Sequence, residues 1–287
     1  AVVPTVSGAE LVKPVYDAFP KGTLHLEVQK IAQLDSSAMT LDDTDHIIQA
    51  VLRALGRAEV SGVIVTHGTD SMEETAIALD TFVSGNKPVV LTGAMRPHDD
   101  PHPDGPSNLT LAVRTATDAH NRGKGVFVAF GGKVFHARGL HKADTQKEDG
   151  FATNCPHGVK RPAPLPFKPL RDVRVDIIAA YPGAPATLID SSIDNGAQGL
   201  VIEGMGDGNI GSTFADAAVR AATRHHVPVV LTTRVDAGQV AGVYGGAGGG
   251  ATLAEKGIIS SGPLRAGQSR ILVAAALATG TDPRKLF

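Results

Sequence analysis

From residue 24 onward, short apolar runs alternate with longer stretches whose apolar residues recur every three or four positions. The first run, Leu24-His-Leu-Glu-Val-Gln-Lys30, alternates apolar and polar residues and predicts a half-buried strand. Thr40-Leu-Asp-Asp43 then opens a helix whose Ile47, Ile48, Val51, Leu52 and Leu55 fall on one face. A strand at Val63–Val65, a helix over 71–84, a strand at Pro88–Thr92, a helix over 106–121 and a strand at Val126–Phe130 follow. The pattern resumes with a strand at Val175–Ala180, a helix near 184–195, a strand at Gly199–Ile202, a helix over 213–225, a strand at Pro228–Leu231 and a helix over 268–279. Alternation at this pitch predicts an α/β fold, with a mostly parallel sheet flanked by helices. Residues 1–20 carry no strong strand signal, although such a sheet normally begins with one.

Arg161-Pro-Ala-Pro-Leu-Pro-Phe-Lys-Pro169 interrupts the alternation with four prolines in nine residues. Such a segment cannot be helix or central strand and reads as a semi-rigid linker. The expected organisation is a larger N-terminal domain over residues 1–160, a linker over 161–172 and a smaller C-terminal α/β domain over 173–287.

Composition adds limits. Apolar residues make up 42% of 287, enough for a sizeable core, and 27 basic against 29 acidic residues leave a net charge of −2. That balance recommends neither nucleic acid nor an anionic membrane as partner. The longest apolar stretch, near Ile271–Ala278, falls well short of the roughly 20 residues a spanning helix needs. One cysteine, Cys155, excludes an internal disulfide and a cysteine-rich zinc site. The expected compartment is the cytoplasm; a periplasmic or secreted location is also compatible.

Candidate chemistry concentrates where strands end. Val63-Ile-Val65 runs into Thr66-His67-Gly68-Thr69-Asp70, and Ser71 with Glu74 has the spacing of a capping box. A hydroxyl and a carboxylate, Thr69 and Asp70, therefore lie between a strand end and a helix start, where open α/β sheets bind ligands. Free backbone N–H groups and the helix dipole there suit an anion or a developing oxyanion. Leu91-Thr-Gly-Ala-Met-Arg-Pro97 ends the next strand, and Asp104-Gly-Pro-Ser-Asn-Leu109 restarts a helix. Gly139-Leu-His-Lys-Ala-Asp-Thr145 supplies Lys142 in a polar loop. His98, Asp99, Asp100, His102 and Asp104 look like metal ligands, but intervening prolines and the lack of helical spacing argue against it, and no metal is expected. The run Gly245–Gly250 lacks a strand-turn-helix context and reads as a flexible surface loop.

Together, T-H-G-T-D-S-M-E-E-T-A, L-T-G-A-M-R-P and D-G-P-S-N-L closely resemble the bacterial L-asparaginase family, amidohydrolases that turn asparagine into aspartate and ammonia. The resemblance implies a catalytic set of Thr69, Asp70 and Lys142. A threonine hydroxyl is a weak nucleophile or acid unless an adjacent base takes its proton, and a lysine serves only where its surroundings lower its pKa. Asp70 would receive the substrate's α-ammonium group and Ser36 its α-carboxylate. The Ala94 carbonyl would meet the departing amide nitrogen. Asn209, in a turn whose Gly and Asn residues favour positive φ, would reach a neighbouring subunit's site in a dimer or tetramer. No cofactor is implied.

Two departures stand out. The family carries a first threonine in a T-G-G-T-I motif on its opening strand, then a mobile flap with a catalytic tyrosine; neither motif occurs here. The expectation is that both precede Ala1. Ser37 stands where many periplasmic-type asparaginases carry glutamine, which leaves glutaminase activity open as an alternative. A catalytically silent amino-acid-binding homologue is the other alternative.

Overall fold

The computed structural model describes residues 7–155 and 160–287, and the chain divides into two compact units, Ala1–Thr153 and Asn154–Phe287. The first contains α1 (Gly8–Tyr16), α2 (Leu41–Leu55), β1 (Val63–Thr66), α3 (Met72–Phe82), β2 (Val89–Thr92), α4 (Gly105–Thr117), β3 (Val126–Phe130), β4 (Lys133–His136), β5 (Leu140–Lys142) and β6 (Phe151–Thr153). Its sheet has the order β1-β2-β3-β4. The first three strands are parallel, with Val63 opposite Val89 and Val89 opposite Val126, and β4 returns antiparallel. Strands β2 and β3 are buried along their whole length, which explains their unbroken apolar runs.

Helix α4 covers one face, packing Ala112 and Ala116 on Ile64, Val90, Phe127 and Ala129. Helix α3 contacts β3 and is backed by α2, so it is buried on nearly all sides and lacks a polar stripe. Helix α2 starts with a capping box: Asp43 N–H donates to Thr40 Oγ1 at 3.2 Å and Thr40 N–H to the Asp43 carboxylate at 2.8 Å. A separate antiparallel pair, β5 with β6, places Lys142 opposite Phe151.

The second unit contains β7 (Val175–Ala179), α5 (Thr187–Asp194), β8 (Gly199–Gly204), α6 (Ser212–Thr223), β9 (Val229–Thr233), α7 (Gly250–Glu255), β10 (Ile259–Ser260) and α8 (Ala266–Thr279). Its sheet is wholly parallel, in the order β10-β9-β8-β7. Ile189 of α5 and Phe214, Ala217 and Ala218 of α6 pack against Leu200, Ile202 and Leu231. Helix α8 packs against β7, β8 and β9 and closes at Gly280, whose φ of 71° is the left-handed cap that glycine adopts without strain.

Several sequence expectations are corrected. Leu24–Lys30 forms no strand. Its alternation is real, because Leu24 and Leu26 join α1 and α4 in an apolar cluster. The Leu26 N–H, however, donates to the Tyr16 hydroxyl at 3.2 Å instead of entering a ladder. The helix expected over 106–121 ends at Thr117, and a short 3-10 turn covers Ala119–Asn121. The glycine run is not a loose loop: a Cβ on Gly248 would lie 1.8 Å from the Ile210 carbonyl oxygen, and Gly250 begins α7. The proline-rich segment 161–169 runs without helix or strand, in keeping with its prolines.

Candidate active site

The site is assembled at the carboxyl ends of β1 and β2. His67 N–H continues the parallel ladder to the Thr92 carbonyl at 2.8 Å, so the two strands release their loops side by side. The first loop then turns under Ser36, which sits in a 3-10 turn spanning Ser36–Ala38 and is buried. A Cβ on Gly68 would lie 2.5 Å from the Ser36 hydroxyl oxygen and 2.8 Å from its Cβ, so this approach requires glycine. The Asp70 N–H donates to Ser36 Oγ at 3.1 Å, and Ser71 Oγ donates to the Ser36 carbonyl at 2.6 Å. The capping box expected between Ser71 and Glu74 therefore does not form; Ser71 makes no side-chain cap bond, its hydroxyl being committed across 35 residues of sequence.

Lys142 lies on β5 and not in a loop. Its Nζ donates to Thr69 Oγ1 at 2.8 Å and to the Asp70 carboxylate at 2.8 Å. Its backbone N–H donates to the Glu73 carboxylate at 2.7 Å. The Lys142 and Asp70 side chains are 21% and 57% exposed, and a pair this open contributes only about 0–1 kcal/mol to stability. Stability alone is therefore a poor account of why amine, hydroxyl and carboxylate converge.

His67 braces the loop from below. Its Nδ1 lies 2.7 Å from the Gly68 carbonyl and its Nε2 2.9 Å from Thr75 Oγ1. A carbonyl only accepts, so Nδ1 carries the proton. Burial pushes the imidazole pKa below its ordinary value, against an opposing pull from the Gly68 carbonyl.

Of the other predicted residues, Ser37 and Ala94 are exposed, beside Ser36 and in the loop after β2 respectively. Asn209 belongs to the second unit. There it forms a reciprocal backbone pair with Met205 at 2.8 Å, and its side-chain oxygen is buried without a partner among the described residues. The positive φ values of that turn belong to Gly206 and Gly208 and not to Asn209. No three His, Cys, Asp or Glu side chains converge as a metal site among the described residues. His98 and His102 are exposed, and Asp100 accepts the His102 N–H at 2.8 Å. Sequence reasoning gave His67, Glu73 and Asn108 no part in the site and weighed Asp104 only as a rejected metal ligand, although all four stand inside the motifs it quoted.

Comparison with known proteins decides the family. The model of the asparaginase N-terminal domain matches residues 1–161, and that of the glutaminase/asparaginase C-terminal domain matches residues 174–286. The chain belongs to the asparaginase family. Among its relatives, a probable L-asparaginase of Deinococcus radiodurans is 39% identical over 244 residues, covering 78% of this chain and 74% of that protein. A probable periplasmic L-asparaginase of Haemophilus influenzae is 31% identical over 292 residues, covering 92% of this chain and 79% of the relative. The crystal structure of a probable cytoplasmic L-asparaginase from Campylobacter jejuni superposes with a TM-score of 0.82 at 27% identity, covering 98% of this chain and 92% of that one. The two-unit α/β architecture of this asparaginase-family chain is thus shared by a solved relative, and the family marks it as a hydrolase acting on an amide. No helix among the described residues is long and apolar enough to cross a membrane.

Proposed function

We propose that this protein hydrolyses L-asparagine to L-aspartate and ammonia in a threonine-dependent reaction. The observation that carries the reading is the Lys142 ammonium, 2.8 Å from both the Thr69 hydroxyl oxygen and the Asp70 carboxylate. Asp70 faces solvent with carboxylate capacity to spare, and it binds the substrate's α-ammonium group in a charge-assisted contact. Ser36 accepts from the Asp70 amide, which leaves its own O–H to donate to the α-carboxylate. The Ala94 carbonyl accepts from the side-chain amide nitrogen. Ser37, beside Ser36, bears on the accepted side-chain length.

Thr69 and Lys142 activate the attacking oxygen. The proton leaving that oxygen passes to Thr69 Oγ1 as the Thr69 proton passes to Lys142 Nζ, which takes it as the neutral amine, and the pair hands a proton on to the departing nitrogen. The reaction is a two-step acyl transfer: a carbon–oxygen bond forms between the attacking threonine hydroxyl and the carbonyl carbon, the carbon–nitrogen bond breaks, and the nitrogen departs as ammonia with the transferred proton. Water activated near Thr69 and Lys142 then cleaves the ester, its proton returning to the threonine oxygen, and L-aspartate is released. The scheme uses no cofactor. Thr69→Ala is expected to slow ammonia release by at least about 10³-fold, as for other activated nucleophile–base units. Assaying asparagine and glutamine side by side measures both loss and preference, and full turnover by the variant would remove Thr69 from the mechanism.

The proposal extends to a homo-oligomer, a dimer or tetramer, in which Asn209 serves a neighbouring subunit. Mixing inactive Thr69→Ala and Asn209→Ala proteins should then restore part of the activity; no recovery on subunit exchange counts against it. The proposed compartment is the cytoplasm, the one named for the Campylobacter protein, and cell fractionation tests it.

A further inference from the structure

The motif Asp104-Gly-Pro-Ser-Asn-Leu109 has no assigned part in the reaction, yet two of its polar side chains, Asp104 and Asn108, are buried. Asp104 is the N-cap of α4 but makes no cap bond with its side chain. An aspartate in that position ordinarily accepts a backbone N–H of its own helix, a bond worth about 1 kcal/mol. Here the carboxylate turns the other way. One oxygen accepts the Met95 N–H at 2.9 Å and the other the Arg96 N–H at 2.9 Å.

Asn108, one turn further on, completes the arrangement. Its Nδ2 donates to the Gly93 carbonyl at 3.1 Å and to Asp104 Oδ2 at 3.1 Å. Its Oδ1 accepts the Gly131 N–H at 3.0 Å, from the loop after β3. Every backbone group captured on the β2 side flanks Ala94: the carbonyl of residue 93 and the amides of residues 95 and 96. Ala94 itself is reached by neither side chain, and the space behind it is filled by α4, since a Cβ on Gly105 would lie 3.4 Å from the Ala94 Cβ. Its peptide is thus held from both ends and from behind, while the residue stays exposed.

We propose that Asp104 and Asn108 are positioning residues for the hydrolysis, fixing the direction of the Ala94 carbonyl and through it the hold on the departing nitrogen. This inference rests on the functional reading above. Its specific consequence is selectivity for the leaving group: an amide presents N–H donors to that carbonyl, whereas an ester presents none. A misplaced carbonyl therefore penalises amide cleavage more than ester cleavage.

The test compares L-asparagine with the β-methyl ester of L-aspartate in the full-length protein, wild type against Asp104→Ser and Asn108→Ala. Serine is a good N-cap, so Asp104→Ser keeps the helix start while releasing the Met95 and Arg96 amides. The kcat for asparagine is expected to fall by about 10- to 100-fold, the scale of a misplacement near 1 Å, with ester cleavage at least about tenfold less affected. L-aspartate, which lacks the amide, should bind both variants as it binds wild type by calorimetry. Equal losses on amide and ester, or unchanged asparagine turnover in both variants, would overturn the positioning role and leave the functional reading intact. A wild-type protein that cleaves neither compound overturns the functional reading and this role with it.

Discussion

Lys142 is carried on a two-stranded sheet, and a single side chain on α3 reaches across to its backbone. Glu73 accepts the Lys142 N–H at 2.7 Å over 69 residues of sequence, and α3 is the helix whose start follows Thr69 and Asp70. Truncating Glu73 to Ala removes a charge-assisted bond worth about 1.5–3 kcal/mol. For a chain of this size, a loss near 2 kcal/mol lowers Tm by about 4–8 °C. The kinetic cost should be larger. With its backbone released, β5 can drift, and a displacement of the amine near 1 Å from the 2.8 Å separation costs turnover about 100-fold. Glu73→Gln retains an acceptor oxygen at the same reach and should recover most of the loss. Coupled ammonia detection and differential scanning calorimetry read the two quantities. Glu73→Ala with unchanged kcat and Tm, or Glu73→Gln as slow as Glu73→Ala, would refute the idea that this bond places the amine.

Four further perturbations test the fold of the two units. Gly93→Ala would put a Cβ 2.3 Å from the His67 carbonyl oxygen and 2.9 Å from Met72 Cε; chemical denaturation should show a loss of about 3 kcal/mol or more, since backbone cannot step aside. Gly211→Ala, with nothing within 4 Å of the added carbon, should stay within about 0.5 kcal/mol of wild type. Thr40→Ala breaks the capping box of α2 and should cost about 1 kcal/mol in the same assay. The lowered pKa of His67 means that the unfolded chain takes up a proton there before the folded one does. Stability from this residue is therefore present above about pH 6.5 and is lost as pH falls through the lower folded value. Denaturation midpoints at pH 7.5 and 5.5 should differ less for His67→Gln than for wild type, and an equal difference would contradict the assignment.

The long periodic segments were legible because burial dictates their pattern. Helices α2, α6 and α8 and strands β2, β3, β8 and β9 lie close to where apolar spacing put them. Short elements escaped: β5 is Leu-His-Lys and β10 only Ile-Ser, too brief for any period to register. The meeting of Thr69 and Lys142 spans 73 residues, so no local pattern could announce it, and the family motifs supplied it. Glu73 and Asp104 were obscured for another reason. Glu73 stands beside the Ser71–Glu74 spacing that reads as a capping box, and Asp104 stands in the run of rejected metal ligands, so neither was read as a side chain that turns away from its own helix.

The division of the first unit into two sheets sets the order in which the protein should fail on warming. A two-stranded ribbon has little independent stability, and such pieces open well below the free energy of global unfolding. Peeling β5 and β6 away would withdraw the ammonium while the parallel strands stay paired. Hydrolysis would then fade at temperatures where circular dichroism still reports a native fold, and return on cooling.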